Sequence, residues 1–121
     1  MRFMTIYKPS DAKKMEAGVP PTQQEMAEMG KFIEEMAKSG VLLAADGLLA
    51  SSKGARVRLS GGKFTVTDGP FTEAKELIAG FAILEVKSKA EAIELTKRFL
   101  KLAGDGESEI REMHDVAAFA A

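Results

Sequence analysis

The sequence predicts an α+β fold in which an antiparallel sheet carries two helices on one side, in a split β-α-β plan with an inserted β-hairpin. Three observations carry that reading. Two stretches have helical periodicity and each opens on a capping-box spacing. The stretches between them alternate apolar and polar residues in steps of two. The order strand, helix, strand, hairpin, strand, helix, strand makes each helix a connection between two strands. At 121 residues and 45% hydrophobic, the chain suits one domain, 1–121, with a modest core.

The first strand, Arg2 to Lys8, sets Met4 and Ile6 on one face and Phe3, Thr5 and Tyr7 on the other. Pro9 ends it, and Ser10 to Pro21 reads as a turn-rich, solvated connection. Thr22-Gln23-Gln24-Glu25 opens the first helix, whose Met26, Met29, Ile33, Met36 and Ala37 form a core stripe, and Gly40 closes it. Val41 to Leu49 is an apolar strand bent at Asp46-Gly47. Ala55, Val57 and Leu59 alternate with Arg56 and Arg58, and Phe64 and Val66 alternate with Lys63, Thr65 and Thr67, around Ser60-Gly61-Gly62: a hairpin. Leu77 to Val86 is apolar on both faces and reads as a central strand. Ser88-Lys89-Ala90-Glu91 opens a second helix with Ala92, Ile93, Thr96, Leu100 and Ala103 inward and Glu94 and Arg98 paired on its wet side. Gly104-Asp105-Gly106 stops it, Ser108 to Met113 is the last strand, and Asp115 to Ala121 is a weakly specified tail.

Composition excludes several functions. There is no cysteine, so disulfides, thiolate metal sites and cysteine nucleophiles are out, which fits a reducing, cytoplasmic setting. Lys and Arg number 17 against 18 Asp and Glu, interspersed, so no overall field holds a nucleic acid directly. No run approaches membrane-spanning length, and the short polar start is no signal peptide. No phosphate-cradling glycine loop opens a helix, so no nucleotide cofactor is expected, and no other cofactor is called for. A metal is not expected either, because the clustered acids lack a nitrogen ligand.

One connection looks like a site. Asp68-Gly69-Pro70-Phe71-Thr72-Glu73-Ala74-Lys75-Glu76 gathers acids, a base, glycine and proline between two strands. The Asp68 carboxylate is placed to accept backbone N–H bonds just ahead of it, while Pro70 restricts Gly69. Val66 to Glu76, with Gly80-Phe81 beyond it, resembles the signature of the DGPF branch of the YCII-related proteins. Arg2-Phe3-Met4, Gly40 to Leu43, Asp46-Gly47-Leu48, Ala55-Arg56-Val57, Glu91 to Glu94 and Glu109-Ile110-Arg111 stand in the matching order, so nearly the whole chain is covered. The resemblance implies a ferredoxin-like domain that pairs its sheet with a second copy in a dimeric α+β barrel. It also implies that Asp68 is the motif aspartate of an uncharacterised family with suggested enzymatic function, whose relatives often neighbour extracytoplasmic-function sigma factors. The family's histidine has no early counterpart: the only imidazole is His114.

The candidate residues each carry two readings. Asp68 is either a proton-transfer group at a cavity rim or a carboxylate that orders its own turn. Glu73 and Lys75, with Glu76, either clamp a polar small-molecule ligand or form a solvated loop. Arg111 lies opposite Ile110 on the last strand and meets either a protein carboxylate or a ligand anion. Tyr7 either offers its hydroxyl to the same space or packs with a wet tip. His114 reads as a strand-end histidine. The first and fifth strands are apolar on both faces while the helices cover only one, so a homodimer is expected, with any chemistry on the sheet side away from the helices. Three functions follow: a small-molecule enzyme using Asp68, a ligand-binding or regulatory protein, or a structural interaction module.

Overall fold

The computed structural model describes residues 1–71 and 77–115. Its elements run β1 (Arg2–Pro9), α1 (Lys13–Glu16), α2 (Gln23–Lys38), β2 (Leu42–Gly47), a 3-10 turn (Ser51–Lys53), β3 (Ala55–Ser60), β4 (Lys63–Asp68), β5 (Gly80–Glu85), α3 (Lys89–Ala103) and β6 (Gly106–Glu112). β1, β2, β5 and β6 form one four-stranded antiparallel sheet in the order β2-β5-β1-β6. β3 and β4 form a separate two-stranded ribbon. This is the interleaved ferredoxin-like arrangement, with the hairpin inserted between β2 and β5.

Both helix starts follow from their caps. The Thr22 hydroxyl accepts the Glu25 N–H at 3.1 Å and the Glu25 carboxylate accepts the Thr22 N–H at 3.2 Å, a reciprocal pair. At α3 the Ser88 hydroxyl likewise accepts from Glu91 N at 3.2 Å, but the Glu91 carboxylate reaches one residue further back, to Lys87 N at 2.9 Å. Arg98 does not pair with Glu94, as its spacing had suggested. It crosses to Glu35 of α2 at 2.9 Å and lies over the Phe32 ring, while Glu94 takes Lys97 at 3.3 Å. Arg98 thereby joins the two helices instead of stiffening one.

The core sits between the sheet and the helices. Phe3, Leu84, Val86 and Ala92 are its buried centre, and Val41, Leu42, Ala82, Leu95 and Ile110 pack around them. Phe3 is 3% exposed, so truncation to alanine costs about 3–5 kcal/mol. The register fixes what the other face carries: Met4 lies opposite Ile83 and Ile6 opposite Phe81. All four are half-buried, on the side away from the core. The helical methionine stripe is only partly core, because Met36 is buried while Met26 and Ile33 stay 53% and 40% exposed.

The four-residue helix α1 falls within the segment read as a plain turn. It has no apolar periodicity to announce it, and Asp11 starts it by accepting the Lys13 N–H at 3.0 Å.

Candidate functional site

The motif loop is held by a residue far from it in sequence. Glu16, from α1, accepts the Ser51 N–H at 3.0 Å and the Ser51 hydroxyl at 2.5 Å, and the same hydroxyl oxygen accepts the Phe71 N–H at 2.9 Å. The two bonds from Ser51 hold the Glu16 carboxyl below its ordinary range. Gly69 donates to Gly54 O at 3.0 Å, and the Arg56 guanidinium stacks 4.0 Å from the Phe71 ring centre. Gly69 itself presses on Ser51: a Cβ there would collide with the Ser51 carbonyl. The glycine is needed for close approach, not for an unusual φ. The Gly69–Pro70 peptide is cis.

That arrangement corrects the turn expected at Asp68. The backbone donors just ahead are already engaged, Gly69 by Gly54 and Phe71 by Ser51, and Pro70 has none. Asp68 therefore ends β4 as an exposed carboxylate with no side-chain hydrogen bond among the described residues. Glu73, Lys75 and Glu76 lie outside the described residues.

Tyr7 and Arg111 do not share a space either. Tyr7 stands edge-on to Phe99 of α3 with ring centres 5.3 Å apart, so it faces the helices. Its hydroxyl donates to the Gly104 and Asp105 carbonyls at 3.3 and 3.4 Å. Burial, with Asp105 nearby, raises its pKa. Arg111 lies opposite Met4 on the other face and donates to Glu109 at 3.1 Å. Arg111 first, and Lys8 at 3.5 Å second, hold the Glu109 carboxyl below its usual range. Since both faces of β1 are apolar, alternation alone gave no means of telling which one the helices cover. The carbonyl of His114 accepts from Arg2 at 2.7 Å at the end of the sheet, away from Asp68.

Among the described residues a concavity lies on the helix side, where sequence reasoning did not place the site. A cleft of about 340 Å³ opens between the sheet and α2 and α3. Met29, Phe32, Met36, Leu95 and Phe99 form its helical wall. The sheet beneath supplies Ala45, Gly47, Ala79, Gly80 and Ala82, residues too small to fill the space under those long side chains. Thr5, Tyr7, Asp46 and Gly47 also line it, with the Asp46 side chain set on the other face by its register with Phe81. Thr96 is already satisfied, donating to Ala92 O at 2.7 Å. The readable signal was the run of Ala and Gly facing a methionine and phenylalanine stripe. Gly80 is further constrained, because a Cβ there would come within 3.0 Å of Asp46 O.

These features can bind a small, largely apolar molecule, with Thr5 and Tyr7 among the polar residues of the lining. Among the described residues no three His, Asp or Glu side chains gather to hold a metal ion. Among the described residues no helix is long and apolar enough to cross a membrane. No curated protein matches the chain. Among solved structures, 5-chloro-2-hydroxyhydroquinone dehydrochlorinase (TftG) from Burkholderia phenoliruptrix AC1100, in complex with 2,5-dihydroxybenzoquinone, superposes with a TM-score of 0.56. The match covers 98% of both chains at 13% identity, a likeness of fold. The model of the YCII-related domain matches residues 1–116, and with the interleaved sheet and the Asp68-Gly69-Pro70-Phe71 loop in place, this chain belongs to the YCII-related family.

Proposed function

We propose that the protein is a small-molecule enzyme that takes a single-ring, largely apolar substrate into the cleft between the sheet and the helices. The observation that carries this is the cleft itself: about 340 Å³, walled by Met29, Phe32, Met36, Leu95 and Phe99. That volume is near the lower end of the ~300–1,000 Å³ range of ligand pockets, as suits one ring with few substituents. The fold neighbour, named for acting on a chlorinated hydroxyhydroquinone and solved with a dihydroxybenzoquinone, supports the same class of molecule.

In this reading Tyr7 is a ligand-binding residue through its ring and its phenol oxygen, which can accept a hydrogen bond while its proton goes to the Gly104 and Asp105 carbonyls. Asp68 is the proton-transfer group, as an exposed carboxylate on a fixed loop, with Glu73 and Lys75 beside it in sequence. Asp68 does not line the cleft, and Asp46, although a lining residue, stands opposite Phe81 and so carries its carboxylate on the other face of the sheet. Arg111 belongs to the other face, which in this proposal is a homodimer contact formed by Met4, Ile6, Phe81 and Ile83.

A calorimetric or ligand-observed NMR screen of single-ring phenols and hydroxyquinones tests the assignment. Binding is expected to wild type and to be lost in Ala45→Leu, which fills the cleft, with circular dichroism unchanged. Hits that bind Ala45→Leu as well as wild type would place the ligand elsewhere and overturn the reading. For a turned-over hit, Asp68→Asn is expected to abolish turnover while leaving binding and the fold intact, and unchanged turnover would remove Asp68 from the chemistry.

A further inference from the structure

Thr5 stands where an apolar side chain would serve the fold better. It lies in the middle of β1 on the face that the helices cover, between Phe3 and Tyr7, with Ala82 opposite it on β5 and Ile110 opposite it on β6. Valine has the same shape and would bring no polar atom into these surroundings. The Thr5 hydroxyl has no hydrogen-bond partner among the described residues, and the one sealed-off, unpartnered side-chain oxygen among them is Ser108 Oγ. Thr5 Oγ1 is therefore open to the cleft that Thr5 lines. The other hydroxyls of the lining are partly spent. Tyr7 gives its proton to the Gly104 and Asp105 carbonyls and Thr96 gives its own to Ala92, so either oxygen can only accept from a ligand, whereas Thr5 can accept and donate. No lysine, arginine, histidine or glutamate among the described residues lines the cleft, and the Asp46 carboxylate is on the other face of the sheet.

We infer that the cleft selects a neutral ring that carries a hydroxyl group, and that Thr5 is the specificity residue that reads it, by a hydrogen bond from the middle of an otherwise apolar floor. The inference rests on the small-molecule reading above and narrows its substrate class. A ring hydroxyl can donate to Thr5, Tyr7 or Thr96, a quinone carbonyl can use only the Thr5 proton, and a carboxylate would enter with a charge that no side chain of the lining pairs. Apolar walls exclude competing water and strengthen the one bond that is made. A site of this kind turns away an analogue that lacks the hydroxyl more sharply than an apolar pocket distinguishes one methyl group from another, because its own polar atom is then left without a partner.

Three probes of similar outline separate these effects: 4-methylphenol, 1,4-dimethylbenzene and 4-methylbenzoate, titrated by ligand-observed NMR into wild type, Thr5→Val, Thr5→Ser and Ala45→Leu. The ratio of affinities for 4-methylphenol over 1,4-dimethylbenzene is expected to fall about tenfold from wild type to Thr5→Val, the size of one net hydrogen bond. Thr5→Ser keeps the hydroxyl and is expected to keep the ratio. Thr5→Val is expected to unfold no earlier than wild type, since it removes an unpaired hydroxyl and preserves the shape. The carboxylate probe is expected not to bind at concentrations that saturate with the phenol. An unchanged ratio in Thr5→Val, with binding lost in Ala45→Leu, overturns the role of Thr5 and leaves the cleft as the ligand site. A ratio that falls equally in Thr5→Ser traces the effect to shape and also overturns that role. The carboxylate binding as tightly as the phenol overturns the selection for a neutral ring. Probes that bind Ala45→Leu as well as wild type, or none that binds at all, overturn the cleft reading and this inference with it.

Discussion

Ser51 holds together segments 35 and 20 residues away, taking Glu16 on one side and Phe71 on the other. Ser51→Ala removes the shared hydroxyl and leaves the Phe71 N–H without its partner, at about 1–2 kcal/mol. The expected readout is faster amide exchange at Phe71 with the melting of α2 and α3 little changed. Gly69→Ala is more severe, about 2 kcal/mol or more, since the added methyl would meet the Ser51 backbone, which has no flexible end to move aside. Denaturant midpoints measure this, and an unchanged midpoint would mean that the loop can open there. Glu16 makes the tie sensitive to pH. Its folded pKa lies below the ordinary 4.5, so its contribution is complete above that value and is lost as pH falls through the folded pKa. Glu16→Gln is expected to flatten the acid limb of the stability profile. None of this was legible at Ser51 or Glu16, because the contacts join a short helix, a 3-10 turn and the motif segment at Phe71, far apart in sequence, whereas the need for glycine at 69 was legible though its cause was misread. Turn chemistry suggested an Asp68 cap, but Ser51 and Gly54 already use the donors.

Elements were legible wherever a local rule determines them. The Thr22 and Ser88 caps, the glycine stops at Gly40 and Gly104 and the hairpin at Gly61-Gly62 all follow from a few adjacent residues. Thr22→Ala removes the α2 cap and is expected to cost about 1 kcal/mol by thermal or denaturant unfolding. Arg98 shows where local rules stop. Its four-residue spacing from Glu94 suits a pair along the helix, yet Glu35 and Phe32 on α2 together outcompete that one contact. Both partners are about half exposed, so Arg98→Ala is expected to lower stability by only about 0.5–1 kcal/mol, with a matching loss in Glu35→Ala and little additivity between them.

At the scale of the molecule, the strand order was legible and the covered face was not. Tyr7 and Arg111 belong to different sides because Phe3, not Met4, enters the core. The cleft followed from the same choice, since Ala45 and Ala82 lie under the helices only in that register. The open face predicts self-association: Ile6→Lys is expected to convert a sedimenting dimer to a monomer with its fold intact, and equal sedimentation of the variant would remove Ile6 from the contact. The sheet order carries a kinetic consequence as well. β1 is made first, yet its neighbours are β5 and β6, with Arg2 opposite Glu85 and Phe3 opposite Glu112. On a translating ribosome β1 waits for Glu85 before one edge can be paired and for Glu112 before the other is complete. Loop closure on that scale precedes any reward from the core, so refolding belongs with domains dominated by distant pairings, on the millisecond side or slower. A nascent chain stopped before Gly106 would hold β1 with one edge bare, a form open to capture by a chaperone.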